Sequence, residues 1–242
     1  MEYRLSRKEN IKYIAFGLVC LGVISYLFYR SIIAFIILSP LIILYMKFIK
    51  NELNKKRLEK LNYQFKDAII SISASLSTGY SLENSIKECY REMCLLHGED
   101  SLICIELKNM IRQVGLNIRI ENIFEEFAGK TGLEDIEIFS SILQIAKKGG
   151  GDLIGIIKNT SGAISEKSDL KREIQSVISS KKYEQRIMNL IPLFIILYVD
   201  FASPGLITKL YHNFIGVMVM TFCLILYGFS FLLSVKITRI EV

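Results

Sequence analysis

Residues Lys181–Asp200 read KKYEQRIMNLIPLFIILYVD, and this stretch decides the fold. Three cations, Lys181, Lys182 and Arg186, stand directly before a run without charge from Ile187 to Val199. Nothing but Pro192 interrupts the helical pattern, so a polar helix passes straight into an apolar one. A basic collar at the edge of an apolar run marks the cytoplasmic face of a membrane, because anionic lipid attracts it and the membrane potential opposes its export. Working outward, the apolar block extends to Val235, broken by Asp200-Phe-Ala-Ser-Pro204-Gly205 and by the polar residues Lys209, His212 and Asn213. Phe214–Val235 then returns to Lys236 and Arg239.

A second apolar block, Ile11–Met46, sits at the other end. It divides into Ile14–Tyr29 and Ile32–Met46, with Tyr29, Arg30 and Ser31 as the turn. Each half holds about 16 residues, or roughly 24 Å of helix, short for a bilayer but workable with local thinning. One long helix instead would place Arg30 in mid-membrane at a cost of several kcal/mol. The expected organisation is all-α with four transmembrane helices as two hairpins flanking a cytoplasmic bundle of about six helices. Its parts are a basic cytoplasmic N-terminus (1–12), a hairpin (13–46), a cytoplasmic helical domain (47–186), a hairpin (187–235) and a cytoplasmic tail (236–242).

Composition agrees. The 242 residues are 51% hydrophobic, and the mean hydropathy of +0.37 is high for an ordinary soluble domain. Arg4, Arg7, Lys8 and Lys12 form a basic start, but no small-residue cleavage site follows, so the first segment is expected to stay in the mature protein. The net charge of +6 is unevenly spread. Residues 47–60 carry six basic groups, Lys55, Lys56 and Arg57 among them, against two acidic ones. Residues 61–166 carry ten basic and fifteen acidic groups, a net of −5. Basic clusters that abut apolar blocks fit a lipid bilayer as partner and not nucleic acid.

The middle reads as short helices. Phe65, Ile69, Ile72 and Leu76 share one face. Ser71-Ile-Ser-Ala-Ser-Leu-Ser77 alternates like a strand, yet its small residues and 3.6-residue surroundings favour a helix in close contact with another. Gly79 suits a left-handed helix end, Ser81 an N-cap and Leu82 the first apolar position of the next helix. Leu82, Ile86, Cys89 and Met93 continue it, and Ile103, Leu107, Met110 and Val114 form another stripe, closed by Gly115. Asn117 is the expected cap of a helix holding Ile120, Ile123, Phe124 and Phe127, which ends at Gly132. Leu133, Ile136, Leu143 and Ala146 line the next. Gly150, Asp152 and Leu153 repeat the glycine, cap and leucine layout. From Asp152 a single helix of roughly 70 Å is expected to reach residue 199, although Gly155 and Gly162 weaken its first turns.

Few residues suggest chemistry. Gly149–Gly151 lacks the lysine of a phosphate-binding loop. His97 and His212 fall in different compartments, and His97 reads as part of a solvated loop with Glu99 and Asp100. Glu134 and Asp135 fit an outer face and a first helical turn. Cys89, Cys94 and Cys104 match no metal spacing and read as small buried hydrophobes in a reducing compartment. No catalytic, cofactor-binding or metal-binding residue is assigned, and the chain is not expected to be an enzyme. A transporter or channel subunit with a cytoplasmic helical domain is the alternative, but it needs facing polar groups inside the spans.

The stretch Phe65-Lys-Asp-Ala-Ile-Ile70, continued by Leu76-Ser-Thr-Gly-Tyr-Ser-Leu-Glu-Asn-Ser-Ile86, resembles the opening motif of the type II secretion system F domain. Lys147-Lys-Gly-Gly-Gly-Asp-Leu153, Arg172 and Arg186 to Pro192 resemble its second half. The tail Lys236-Ile-Thr-Arg-Ile-Glu-Val242 is similar to that of the Tad/Flp pilus branch, TadB or TadC. The sequence departs from the family at Asn117-Ile-Arg119 and in its serine-rich first helix, which leaves TadB and TadC both open. The resemblance implies an inner-membrane platform protein with both termini cytoplasmic. Its implied partners are a cytoplasmic hexameric secretion ATPase, pilin subunits, and a second platform protein or another copy of itself. The acidic distal part, with Glu121, Glu125 and Glu126, is either the ATPase-docking surface or simply what keeps a helical bundle soluble.

Overall fold

The computed structural model describes residues 7–149, 152–202 and 214–238. Among them the chain is all-α. Its helices are α1 (Arg7–Tyr29), α2 (Ile32–Leu38), α3 (Leu41–Ser77), α4 (Leu82–His97), α5 (Leu102–Gly115), α6 (Ile120–Thr131), α7 (Glu134–Gly149), α8 (Leu153–Ala202) and α9 (Phe214–Thr238). Two compact units result, one from Glu52–Arg172 and one from the described parts of Arg4–Asn51 and Glu173–Val242.

The first unit holds the continuous core. Every apolar stripe expected from periodicity packs inward, from Phe65, Ile69, Ile72 and Leu76 on α3 to Ile136, Leu143 and Ala146 on α7, with Val114 and Leu133 partly covered. Four phenylalanines knit the stripes together. The Phe65 and Phe139 rings meet edge to face at 5.7 Å, Phe124 and Phe139 at 5.1 Å, and Phe65 and Phe127 at 6.0 Å. Such pairs add to the burial of the rings themselves. The serine-rich stretch 71–77 is helical, and Ser71, Ser73 and Ser75 are buried beside Ile72 and Leu76. Small side chains on several faces let neighbouring helices approach this part of α3.

The turns follow backbone chemistry. Gly79, Gly98 and Gly132 take positive φ, as helix ends in the left-handed region require. Asn117 does the same at φ 59°, and the cap of α6 is Arg119, whose side chain makes no capping bond. Asn117 therefore serves as a left-handed turn residue, a role its short polar side chain tolerates, and not as the expected cap.

The second unit contains the apolar segments. Within the described residues, Asn10–Tyr29, Ile154–Ala202 and Ile215–Ile237 contain windows long and apolar enough to cross a membrane. Their large side chains face outward: Phe16, Phe222 and Phe229 are each at least 60% exposed. Apolar surface on that scale marks contact with lipid or protein. Ile32–Met46 differs from expectation, because α2 stops at Leu38 and α3 begins at Leu41. Pro40 has no N–H and restricts Ser39, so the helix cannot pass unbroken. Three-residue hydrogen bonds bridge the gap, Ser39 N to Ile36 O and Ile42 N to Ser39 O. Past the break the chain still returns along α1. Arg30 takes φ 44° at the turn, and Tyr45 lies so close to Gly17 that a Cβ there would sit 3.1 Å from its ring.

Since Phe139 joins two of the three aromatic contacts and is fully buried, Phe139→Ala is expected to destabilise the helical unit by about 3–5 kcal/mol. Urea unfolding of the full chain in detergent, followed by hydrogen exchange at α6 and α7 amides, measures it.

Candidate functional site

The two long helices meet in the first unit through a chain of polar contacts. Asp135, at the start of α7, is buried to 5% exposure. Its Oδ2 accepts from Asn62 Nδ2 of α3 at 2.6 Å, and its Oδ1 accepts from Lys167 Nζ of α8 at 2.8 Å. Lys167 also reaches Glu134 at 2.8 Å. Lys66 pairs with Asp169 at 3.2 Å, and the Arg172 guanidinium lies 5.2 Å from the Tyr63 ring centre. Moving three residues back along α3, from Lys66 to Tyr63, moves three forward along α8, from Asp169 to Arg172. The two helices therefore run antiparallel at this clamp. Hydrogen bonds to Asp135 and Glu134 hold the Lys167 ammonium above the usual lysine range.

Asp135 was expected on an outer face, and the structure corrects that. It stands four residues before Phe139 and eight before Leu143, so it shares their inward stripe. Spacing alone could have signalled this. His97 is corrected likewise: it is the last residue of α4, and its Nε2 lies 3.0 Å from Asp67 Oδ2 on α3. His212 and Lys209 lie outside the described residues.

Both cap motifs can be followed. Ser81 Oγ accepts from Asn84 N at 3.3 Å and starts α4 at the buried Leu82. Asp152 Oδ1 accepts from Gly155 N at 2.9 Å and starts α8 at Leu153. The two caps use the same three-residue reach. A Cβ on Gly155 would run into the Asp152 carboxylate, so the glycine that weakens this turn also admits its cap. Gly150 lies outside the described residues.

The acidic candidates all sit on α6 and all have internal partners. Glu121 pairs with Lys147 at 3.1 Å, and Glu125 accepts from Gln144 at 3.2 Å, both on α7. Glu126 pairs with Lys130 at 2.6 Å and accepts from Gln113 of α5 at 2.8 Å. Partial burial pushes the Glu121 carboxyl up, but its own backbone N–H and Lys147 outweigh this and leave it below the ordinary range. Lys130 and Gln113 lower Glu126. These carboxylates tie α6 to its neighbours whatever else they bind.

Glu106 on α5 was not singled out by sequence. It is buried, and burial pushes its carboxyl up, opposed by Lys130 and reinforced by Glu126. Among the thiols, burial raises Cys89 to about 12 and Cys104 to about 11, and Cys89 Sγ donates to the Ala68 carbonyl at 3.4 Å. Such thiols carry little thiolate and behave as packing groups. Of the collar residues, Lys55, Lys56 and Arg57 lie on α3, and Lys181, Lys182 and Arg186 on α8.

In the second unit, Arg30 grips Asp200 of α8 with Nη2 at 2.7 and 2.5 Å from the two carboxylate oxygens. Tyr29 Oη donates to Thr221 Oγ1 of α9 at 3.0 Å. The α1–α2 turn is thereby tied to both C-terminal helices.

No protein-family model, curated protein or solved structure matches the chain.

Two expectations follow. Lys167→Ala leaves the buried Asp135 short of a charged donor and is expected to cost about 1–2 kcal/mol, the lower part of the range because Lys167 is half exposed. A double-mutant cycle with Asp135→Asn should recover a coupling of similar size; additive single changes would break the clamp into independent contacts. Glu106 has its folded pKa above its unfolded value, so it opposes folding at neutral pH and ceases to as pH falls through the folded value. Glu106→Gln is expected to raise the unfolding temperature at pH 7, with the gain vanishing below about pH 4. Thermal unfolding across that range reads it.

Proposed function

We propose that this chain is an inner-membrane platform protein of a Tad/Flp-type pilus assembly or type II secretion machine. In this role it couples a cytoplasmic secretion ATPase to the assembly of pilin subunits and performs no catalysis itself. One observation carries the reading. Two long helices, α3 and α8, are clamped antiparallel in a six-helix unit, and each continues into an apolar segment bounded by basic collars. The Gly79 and Ser81 turn and the Asp152 cap support it, because they lie in the stretches whose sequence resembles the F domain.

On this reading the first hairpin spans with α1 going out and α2 with the start of α3 coming back across the Pro40 break. The second spans with the apolar end of α8 and with α9. Both termini and the helical unit then share the cytoplasmic side, as the basic collars require. A second platform protein, TadB or TadC in kind, or another copy of this chain completes the assembly. The acidic face of α6 is the proposed docking site for the ATPase. Because Glu121, Glu125 and Glu126 also hold α6 in place, charge reversal would confuse docking with folding.

Photo-crosslinking in intact cells avoids that difficulty. Probes at exposed positions between residues 115 and 135, such as Leu116, are expected to capture a hexameric secretion ATPase, and probes on α9 pilin-like peptides. Capture of a transport ATPase or of soluble signalling proteins instead would overturn the proposal.

A further inference from the structure

Between Asp169 and Arg186, α8 carries four aliphatic residues, Leu170, Ile174, Val177 and Ile178, in a stretch that is otherwise polar apart from Tyr183. The first three step by four and then three residues, and the same steps continue through Lys181 and Glu184 to Met188. That is the spacing of the core positions of a coiled coil. The contacts within the chain fall on other faces of α8. Asp169 and Arg172 meet α3, and the centre of the stripe lies about 135° round the helix from them at ~100° per residue. Ile157 and Ile164 enter the core from a further face. Tyr227 of α9 reaches α8 at the Asn189 carbonyl. Val177 and Met188 line the cleft beside α9, yet they remain 67% and 64% exposed. Leu170 is 61% exposed and Ile174 38%. Aliphatic side chains set outward at this spacing in a polar helix mark a contact with another helix.

The charges on the stripe identify that helix. Lys181 and Glu184 pair within the chain at 3.0 Å, so this level of the seam carries no net charge. Two copies anchored through α8 enter one membrane from the same side. Their α8 helices then run parallel about a two-fold axis, with each residue level with its twin. In such packing a side chain at the Lys181 position inserts beside residues 177 and 184 of the facing helix. The ammonium thus meets Glu184 of the second copy as well as its own. Two cations and two anions form one neutral layer, with Leu170, Ile174 and Val177 on one side of it and Met188 on the other. A slip of one heptad would set one Lys181 against Ile174 of the facing helix, among apolar side chains, so the layer admits one register.

We propose that α8 pairs in parallel with α8 of a second copy of this chain, through the stripe from Leu170 to Met188, and that the Lys181 and Glu184 layer fixes the register. The pairing rests on α8 entering a membrane. It gives a place to the second copy allowed under the proposed function, and it stands or falls apart from the ATPase and pilin reading.

The test uses two differently tagged copies of the full chain, co-expressed in cells, with a photo-crosslinking residue placed at one position at a time. Doubly tagged dimers are expected from Leu170, Ile174 and Val177 and not from Arg172, Gln175 and Ser179. Light scattering of the wild type in phospholipid nanodiscs is expected to give two chains. Lys181→Glu, which sets four carboxylates in one layer, should cut co-isolation of the two tags by about tenfold. Adding Glu184→Lys should restore it. Ile174→Asp with Val177→Asp should also cut co-isolation, with circular dichroism unchanged because both positions face outward. A single chain in nanodiscs would overturn the pairing, and so would crosslinks spread evenly round the helix or running only to a different protein. Co-isolation unmoved by these changes, or a charge swap that fails to restore it, would do the same. Pairing without capture of a secretion ATPase would overturn only the platform role.

Discussion

A buried carboxylate sets the geometry of the helical unit. Asp135 cannot remain charged away from water without partners, and its two oxygens are met by Asn62 from α3 and Lys167 from α8. That need brings three helices to one point. Lys66 with Asp169, and Tyr63 with Arg172, then extend the contact along the α3–α8 seam. The apolar core beneath could be filled by many related sequences. The directional contacts select one antiparallel register, because a slip of one helical turn would leave Asp135 without Lys167.

The second unit solves a different problem. Its helices present apolar side chains outward, so burial contributes little to choosing which helix stands beside which. Polar contacts along the apolar segments do that instead. Arg30 holds Asp200 with one nitrogen on both oxygens, and Tyr29 holds Thr221. Midway along α9, Tyr227 donates to the Asn189 carbonyl near Pro192. Each lies where unpaired charge or backbone would otherwise be costly near an apolar medium.

Periodicity made the helices and core stripes of the first unit readable, since Phe65, Ile69, Ile72 and Leu76 repeat every three or four residues whatever lies opposite them. The glycine stops and the Ser81 and Asp152 caps were readable for the same reason: they are local. Local rules failed where two signals competed. At Pro40 the apolar run suggested one uninterrupted helix, and backbone chemistry broke it. At Asn117 the residue type suggested a cap, and the chain used its tolerance for positive φ. The clamp was hardest to see, because Asn62, Asp135 and Lys167 are far apart in sequence and each has an ordinary solvent-facing explanation. The inward phase of Asp135 was visible beside Phe139 and Leu143, but its partners were not.

The seam and the caps each secure a different stretch of α8. Its 50 residues include two glycines near the start and a proline near the end, three places where a helix is inclined to fray or bend. Each end has its own remedy. Asp152 folds over Gly155 and satisfies its N–H, and Tyr227 supplies a donor beside the bond that Pro192 cannot make. Between them the clamp fixes residues 167–172 against α3. A displacement of α8 along its axis at the clamp therefore has to carry the matching part of α3 with it, since sliding alone would break the contacts of Lys167, Asp169 and Arg172 together. That resistance to sliding resides in the register of a few polar side chains instead of in the size of the core.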